Sequence, residues 1–364
     1  MRILIIGAGL FGTSAANILS DKNNRIDLIE AESDIMQLAS RVNHNRIHLG
    51  YHYLRSIQTA EQSIEGLLSF LFNYGKAVIH QLPNYYAIAK EGSKTTPGEF
   101  VSFCDNVGIG YDNEYPGQKF LNRDSIEECF KVPEPVWDYE SLKKIIRGNL
   151  KKSKVNLLLN TECVDLKQLP DQTFEATFNN TTTRYDVVIN TTYSNLNKIN
   201  RHLGVEQKKL LFENVIIPVF KYKTPPKGLT IMDGPFCSVM PRGRAKNEFL
   251  LYHVKQSVIQ SQLAVNNPGF GINNTFDKSA EAAIYKQSTL FMPFLNDAEH
   301  TGYNKTTRLV YENSDDARIT ELHTYPGVKN YFSVLSGKVT TCIQVALEIK
   351  HILQGKQKSK RAKI

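Results

Sequence analysis

A chain of 364 residues with 41% hydrophobic and 22% charged residues has room for one α/β domain and a second, smaller one without covalent staples. Its five cysteines (Cys104, Cys129, Cys163, Cys237 and Cys342) are odd in number and form no C-x-x-C pair, which excludes a disulfide framework and a dithiol metal site; they read as reduced thiols of a cytoplasmic protein. The formal charge of +8 is gathered in a basic tail, 356–364, where Lys356, Lys358, Lys360, Arg361 and Lys363 meet no acid; subtracting those five leaves +3, which argues against nucleic-acid binding. The tail is expected to be solvated, with contact to an anionic surface as the alternative. No run of 18 apolar residues is present, so no transmembrane segment is expected.

In chain order, Arg2 to Ile6 is a short apolar run of the kind found in strands buried on both faces. It ends in Gly7-Ala8-Gly9-Leu10-Phe11-Gly12, a helix is expected from about Leu10 to Ser20, and Arg25 to Glu30 is the next strand, with an acid at its carboxyl end. The apolar N-terminus resembles a signal peptide only superficially, because glycines at fingerprint spacing interrupt it and a second strand follows. Residues 31–80 read mainly as helix, interrupted at Asn43 to Ser56, where Gly50, three histidines and two tyrosines cluster. From Leu82 to about Val136 the pattern turns to short strands and turns. Asp138 to Lys152 is an amphipathic helix, Val155 to Leu159 a strand, 174–185 a hairpin, and Tyr185 to Asn190 a buried parallel strand. Residues 210–295 alternate with period two in places, as an antiparallel sheet would. Finally, Val328 to Ser336 is a strand, Ser336-Gly337-Lys338 a tight turn, and Val339 to Leu353 a helix.

A G-x-G-x-x-G run between a strand and a helix, with Glu30 eighteen residues beyond Gly12, is the context of a dinucleotide-binding βαβ unit. Gly7 allows the turn, Gly9 lets the backbone approach a pyrophosphate, and Gly12 lets helix and strand pack. The helix start receives the phosphate charge, and Glu30 would bind ribose hydroxyls while repelling a 2′-phosphate. The fingerprint alone leaves FAD and NAD open. The far end of the chain favours FAD: a helix N-terminus at Thr340-Thr341, with Lys338 beside it, suits the pyrimidine end of a flavin, which becomes anionic on reduction. A plain helix cap is the alternative there.

Asn45-Arg46-Ile47-His48-Leu49-Gly50-Tyr51-His52-Tyr53 resembles the G-x-I-H-x-G-x-x-Y loop that runs along the flavin in the D-amino-acid-oxidase-like (DAO) superfamily. Ser336-Gly337-Lys338-Val339-Thr340-Thr341 is similar to its C-terminal flavin turn, G-G-K-x-T-T in glycerol-3-phosphate dehydrogenases, and Thr161 to Val164 and Val187 to Thr192 occupy the places of its adenine-side segments. Three positions depart from the pattern: Arg46 and Ser336 replace glycines, and Thr192-Tyr193 replaces Thr-Gly. The resemblance implies a fold of α/β class, a discontinuous Rossmann-type FAD-binding domain (1–81, 137–205 and 305–355) interleaved with a mainly antiparallel β substrate domain (82–136 and 206–304). It implies non-covalent FAD held by Gly7, Gly9, Leu10, Phe11, Gly12, Glu30, Arg41, Asn45, His48, Val164, Thr191, Ser336, Gly337, Lys338, Val339 and Thr340.

For the substrate, an arginine matches an anion bidentately. In the DAO-like family an arginine near the place of Arg318 binds the substrate carboxylate; here it could equally pair with Asp315 or Asp316. Arg242, in the turn-rich Pro241-Arg242-Gly243-Arg244, and the walls Tyr53 and Tyr252 are further substrate-binding candidates. His48 or His52 could take the substrate proton, or be packed against backbone. The expected activity is an FAD-dependent oxidoreductase, dehydrogenase or oxidase, taking hydride from an amine- or hydroxyl-bearing carbon of a small polar, anionic molecule such as an amino acid, hydroxy acid or sugar derivative. The runner-up is a flavin-dependent nucleotide-sugar mutase resembling UDP-galactopyranose mutase. The electron acceptor is left open.

Overall fold

The computed structural model describes residues 1–270, 274–312 and 318–355; Asp315, Asp316 and the basic tail lie outside them. Six strands form a first sheet in the order Asn156–Leu158, Arg25–Ile29, Arg2–Ile6, Val187–Asn190, Val328–Leu335 and Glu321–Tyr325. All neighbours run parallel except the last pair. Ile3, Leu4 and Ile5 are fully buried, which is why the first strand reads as continuously apolar rather than alternating. Helices Leu10–Leu19, Ile57–Tyr74, Tyr139–Lys152 and Cys342–Leu353 cover this sheet through one apolar cluster. The helix Tyr139–Lys152 starts at Asp138, whose carboxylate accepts from Ser141 N at 2.8 Å, a cap worth about 1 kcal/mol.

A small antiparallel meander, Asp165–Gln168, Phe174–Phe178 and Thr181–Tyr185, precedes the strand Val187–Asn190. A nine-stranded mixed sheet takes its strands from 84–132 and 210–310. Its spine is Leu210–Lys221, which pairs antiparallel with Glu248–His253, Val258–Ala264 and Glu299–Val310. The chain therefore stays in this sheet to Val310. No helix among the described residues is long and apolar enough to cross a membrane.

Two expectations fail. Residues 31–42 hold turns and bends rather than helix, continuous with the expected interruption at Asn43 to Ser56, and the helix spans Ile57–Tyr74. The reason is that the stretch is shared between core and cavity without a 3.6-residue period: Ile35 and Met36 fill the apolar core, while Gln37 to Ser40 and Val42 line the cavity. Thr161 to Val164 is also irregular, with strand pairing beginning only at Asp165.

Candidate active site

Four parallel strands end, at Ile6, Ile29, Asn190 and Leu335, on one cavity of about 1070 Å³. The sheet's order reverses between Arg2–Ile6 and Val187–Asn190, which is where open α/β sheets place their ligands. The mixed sheet forms the opposite wall through Asn214, Thr230, Ser238, Tyr252 and Arg308.

At one end lies the glycine turn. Gly7 has φ +98°, and a Cβ on Gly12 would stand 1.9 Å from Gly7 O and 2.6 Å from Thr191 Oγ1. The Thr191 hydroxyl itself reaches both Ile6 O and Gly7 O at 2.9 Å, so the turn is tied to the neighbouring strand. Glu30 accepts from Ala8 N at 2.7 Å and Glu32 N at 3.0 Å; burial raises its pKa and these two amides oppose the rise.

At the other end, Thr320 fixes the C-terminal turn by accepting from Gly337 N at 2.9 Å and Lys338 N at 3.2 Å. A Cβ on Gly337 would meet Arg318 O at 2.0 Å, so this close approach sets the Arg318 backbone against the turn. Lys338 is buried, its ammonium 3.9 Å from the centre of the Tyr53 ring. Burial first, and the Arg46 charge second, push its pKa well below the usual lysine range. An anionic group bound beside it would reverse that shift.

Between the two ends runs the loop 43–56. Arg46 is buried and donates to Tyr86 OH at 3.1 Å and Thr230 Oγ1 at 2.7 Å. Its Nε lies 3.4 Å from Glu134 Oε2. Glu134 is fully buried and accepts from Tyr86 OH at 2.8 Å and Leu49 N at 3.0 Å. His48 and His52 pack edge-on against Tyr53, at 5.4 and 5.6 Å between ring centres. His44 meets Ser238 Oγ through Nδ1 at 3.3 Å.

On the substrate side, Arg308 donates to Glu213 at 2.7 Å and lies over Tyr252 at 5.5 Å. Burial and the nearby Arg308 charge both lower the pKa of Arg318, which places two guanidiniums in one field. Tyr193, at φ +52°, accepts from Leu309 N at 2.9 Å through its hydroxyl and so ties the nucleotide side to the strand that carries Arg308. Arg55 pairs with the buried Asp233 at another edge of the cavity.

Of the residues named from sequence, Gly7, Gly9, Leu10, Phe11, Glu30, His48, His52, Tyr53, Thr191, Tyr252, Arg318, Ser336, Gly337, Lys338 and Val339 all line this cavity. Gly12 and the buried Thr340 and Asn45 stand behind its wall. Arg41 leaves it to lie 6.0 Å from the Tyr139 ring centre, and Val164 is exposed while Glu162 and Cys163 face the cavity. Arg242 is also away from it, drawn to Glu248 at 2.9 Å across the adjoining strands. His253 caps a turn, its Nδ1 accepting from Lys255 N and Gln256 N at 3.2 Å each. Sequence reasoning missed Glu134, Ser238, Arg308 and Thr320. Arg46 carried a signal, a long cation in a glycine position; Glu134 carried none.

The wall fits FAD on its own features: a glycine cradle closed to a Cβ at Gly12, the Glu30 carboxylate on the cavity lining beside it, and the buried Lys338 at the far end. Fold and site together define an FAD-dependent oxidoreductase of Rossmann type. A family model described as DAO, FAD dependent oxidoreductase, matches residues 2–301, and the chain belongs to that family. It is 26% identical to the FAD-dependent monooxygenase FPY4 of Fusarium mangiferae over 65% of this chain, spanning 60% of that protein's length. It is 24% identical to the FAD-dependent monooxygenase kojA of Aspergillus flavus, over 96% of this chain and 85% of the relative. Among solved structures it is similar to glycine oxidase from Geobacillus kaustophilus (TM-score 0.78, 12% identity, 98% and 96% of the two chains). It is likewise similar to FAD-bound L-alpha-glycerophosphate oxidase from Mycoplasma pneumoniae (TM-score 0.78, 16% identity, 99% and 96%). These two show the fold, and FAD is the cofactor.

Burial lowers the pKa of His44, His48, His52 and His253, to about 3 for His52 and about 4 for His253. The unfolded chain takes up these protons near the ordinary histidine value, so their contribution is present above about pH 6.5 and is lost as pH falls toward the folded values. Each such histidine changes stability by about 1.4 kcal/mol per pH unit within its window. The raised carboxyls of Glu30, Glu134 and Glu281 act in the opposite sense, gaining stability below their folded values, but they are outnumbered once the lowered His300 and His323 join the four histidines. Thermal denaturation at pH 7, 6 and 5 is expected to show a falling Tm; a flat or rising Tm contradicts the neutral-histidine cluster.

Proposed function

We propose that the enzyme binds FAD non-covalently along the cavity and removes hydride from an amine- or hydroxyl-bearing carbon of a small anionic molecule, an amino acid or a hydroxy acid. The observation that carries this reading is that Arg308, on the mixed-sheet wall, and Arg318, beside the flavin turn, both line the cavity, near enough for the Arg308 charge to act on Arg318. A carboxylate held there would place the adjoining carbon toward the turn of Ser336 to Lys338. FAD, when bound, supplies the hydride acceptor. The chain's own side chains do the rest. Arg318 holds the anion, and Tyr252 and Tyr53 confine the substrate.

A neutral imidazole of His48 or His52 takes the proton from the substrate's N–H or O–H. Both rings are kept neutral by burial and by the cations Lys338 and Arg46, and a bound substrate anion offsets part of that field, restoring basicity. The Glu30 carboxylate and the helix start at Leu10 hold the adenosine half of the cofactor. The buried pair Arg46–Glu134 keeps the loop between the halves in place.

Anaerobic mixing of the FAD-loaded protein with a panel of amino acids and hydroxy acids tests the reading. Bleaching of the yellow absorbance by one of these alone is expected. Reduction only by a nicotinamide nucleotide, whatever else is present, would place the chain with the monooxygenases that it resembles and overturn the proposal.

A further inference from the structure

We propose that Glu134 is a positioning residue for the base: it orients His48, through Nδ1, so that the opposite ring nitrogen faces the cavity, and Arg46 neutralises Glu134 in place. The inference rests on the functional reading above and chooses between its two histidines. His48 Nδ1 is buried, lacks a hydrogen-bond partner and stands 3.7 Å from Glu134 Oε1, while the ring itself lines the cavity. Catalytic hydrogen bonds are often long before substrate binds and tighten in the loaded complex. His52 Nδ1 is equally buried, but among the described residues the charges acting most on it are the cations Arg46, Lys338, Arg318 and Arg55.

The surroundings are built to hold this carboxylate. Its Oε1 is fixed by Leu49 N and its Oε2 by Tyr86 OH, and the Tyr86 hydroxyl in turn accepts from Arg46. Glu134 sits on the segment just before the strand Val136–Trp137, Tyr86 and Thr230 on the mixed sheet, and Arg46 on the flavin-side loop. The network therefore fixes the loop against the substrate wall. A lone buried carboxylate is costly, and Arg46, its Nε 3.4 Å from Glu134 Oε2, supplies the compensating charge.

The groups facing His48 are Lys338 from the C-terminal turn, Arg46, His44, His52 and Tyr53 from its own loop, and Glu134 from behind. Burial first, and the Lys338 and Arg46 charges after it, keep the ring neutral before reaction. The step balances as follows: the substrate N–H or O–H proton passes to His48 and a C=N or C=O bond forms, the carbon's hydrogen leaving as hydride that bound FAD would accept. The developing imidazolium then donates through Nδ1 to Glu134, as a buried carboxylate does for a catalytic histidine elsewhere.

Glu134→Gln removes the charge and keeps the shape. In the FAD-loaded protein it is expected to lower the anaerobic reduction rate by about 10- to 100-fold with KM changed less than about twofold, because Arg318 still holds the anion. The double variant H48N/E134Q should be no slower than H48N alone. Nitrogen-15 NMR of the FAD-loaded protein, without substrate, should find the His48 proton on Nδ1 and find that preference lost in E134Q. If E134Q does not retain FAD, R46M/E134Q, which leaves no lone buried charge, is measured in its place with the same expectations. Multiplying rate losses in the double variant, or an unchanged His48 tautomer, would overturn the proposal. If no amine or hydroxy acid reduces the wild-type flavin, the functional reading fails, and the NMR result still decides the role of Glu134.

Discussion

Gly12→Val is expected to yield a folded but colourless protein. A Cβ at this position would lie 1.9 Å from Gly7 O and 2.6 Å from Thr191 Oγ1, neither of which is the far end of a flexible chain. Gly7 O belongs to the turn itself, and Thr191 is tied to that turn by hydrogen bonds to Ile6 O and Gly7 O. Helix Leu10–Leu19 must therefore move away from the strand Arg2–Ile6 by more than an ångström. Such overpacking costs about 1–3 kcal/mol or more, and the displaced helix start loses its aim at the pyrophosphate. The check is the flavin absorbance of the purified variant beside its far-ultraviolet circular dichroism. FAD retained at one per chain would show that the turn does not bear on the cofactor.

Arg318→Leu is expected to act at the opposite end, leaving FAD bound while weakening the substrate. Removing one partner of a desolvated, hydrogen-bonded charge pair costs about 2–5 kcal/mol, which is roughly two to three orders of magnitude in KM. Arg308 does not replace it, because its guanidinium is engaged with Glu213 and lies over Tyr252. Arg318→Lys recovers only part of the loss, since an ammonium cannot match a carboxylate's two oxygens with a planar fork. Steady-state kinetics at fixed oxidant separates the outcomes: a raised KM supports the clamp, and an unchanged one removes Arg318 from the substrate.

The cofactor end was legible in the sequence because it is local. Gly7 to Gly12 and Glu30 form one βαβ unit, and Ser336 to Lys338 one strand-to-helix turn, so spacing along the chain was enough to mark both. The stretch 31–42 reads as helix from the sequence but is built of turns, because Ile35 and Met36 turn to the apolar core while Gln37 to Ser40 and Val42 line the cavity, which leaves no helical stripe. Arg242 shows the opposite failure. An arginine in a turn looks free from sequence, yet Glu248 stands across the adjoining strands to take it.

Glu134 and Arg308 were silent for a different reason. Each becomes meaningful only through partners far away in sequence: Glu134 with Arg46 and Tyr86, and Arg308 with Glu213 and Tyr252. The register of the mixed sheet brings Arg308 to Glu213, and the bridge between Arg46 and Val136 brings Arg46 beside Glu134. Arg46 and Tyr193 are the instructive cases between these extremes. Both were visible as departures from a family pattern, and both form specific bonds, Arg46 to the mixed-sheet residues Tyr86 and Thr230 and Tyr193 to Leu309 N.

The central claim is that FAD is reduced directly by an anionic substrate held by Arg318 between the flavin turn and the mixed-sheet wall that carries Arg308. Its most direct test is the anaerobic rate of flavin bleaching by a hydroxy or amino acid compared with that by its methyl ester, on the FAD-loaded wild-type protein. The account predicts bleaching by the acid at a rate that saturates with concentration, and an ester slower by roughly two orders of magnitude at low concentration. Equal bleaching by acid and ester, or none by any acid while dithionite reduces the flavin, would contradict it.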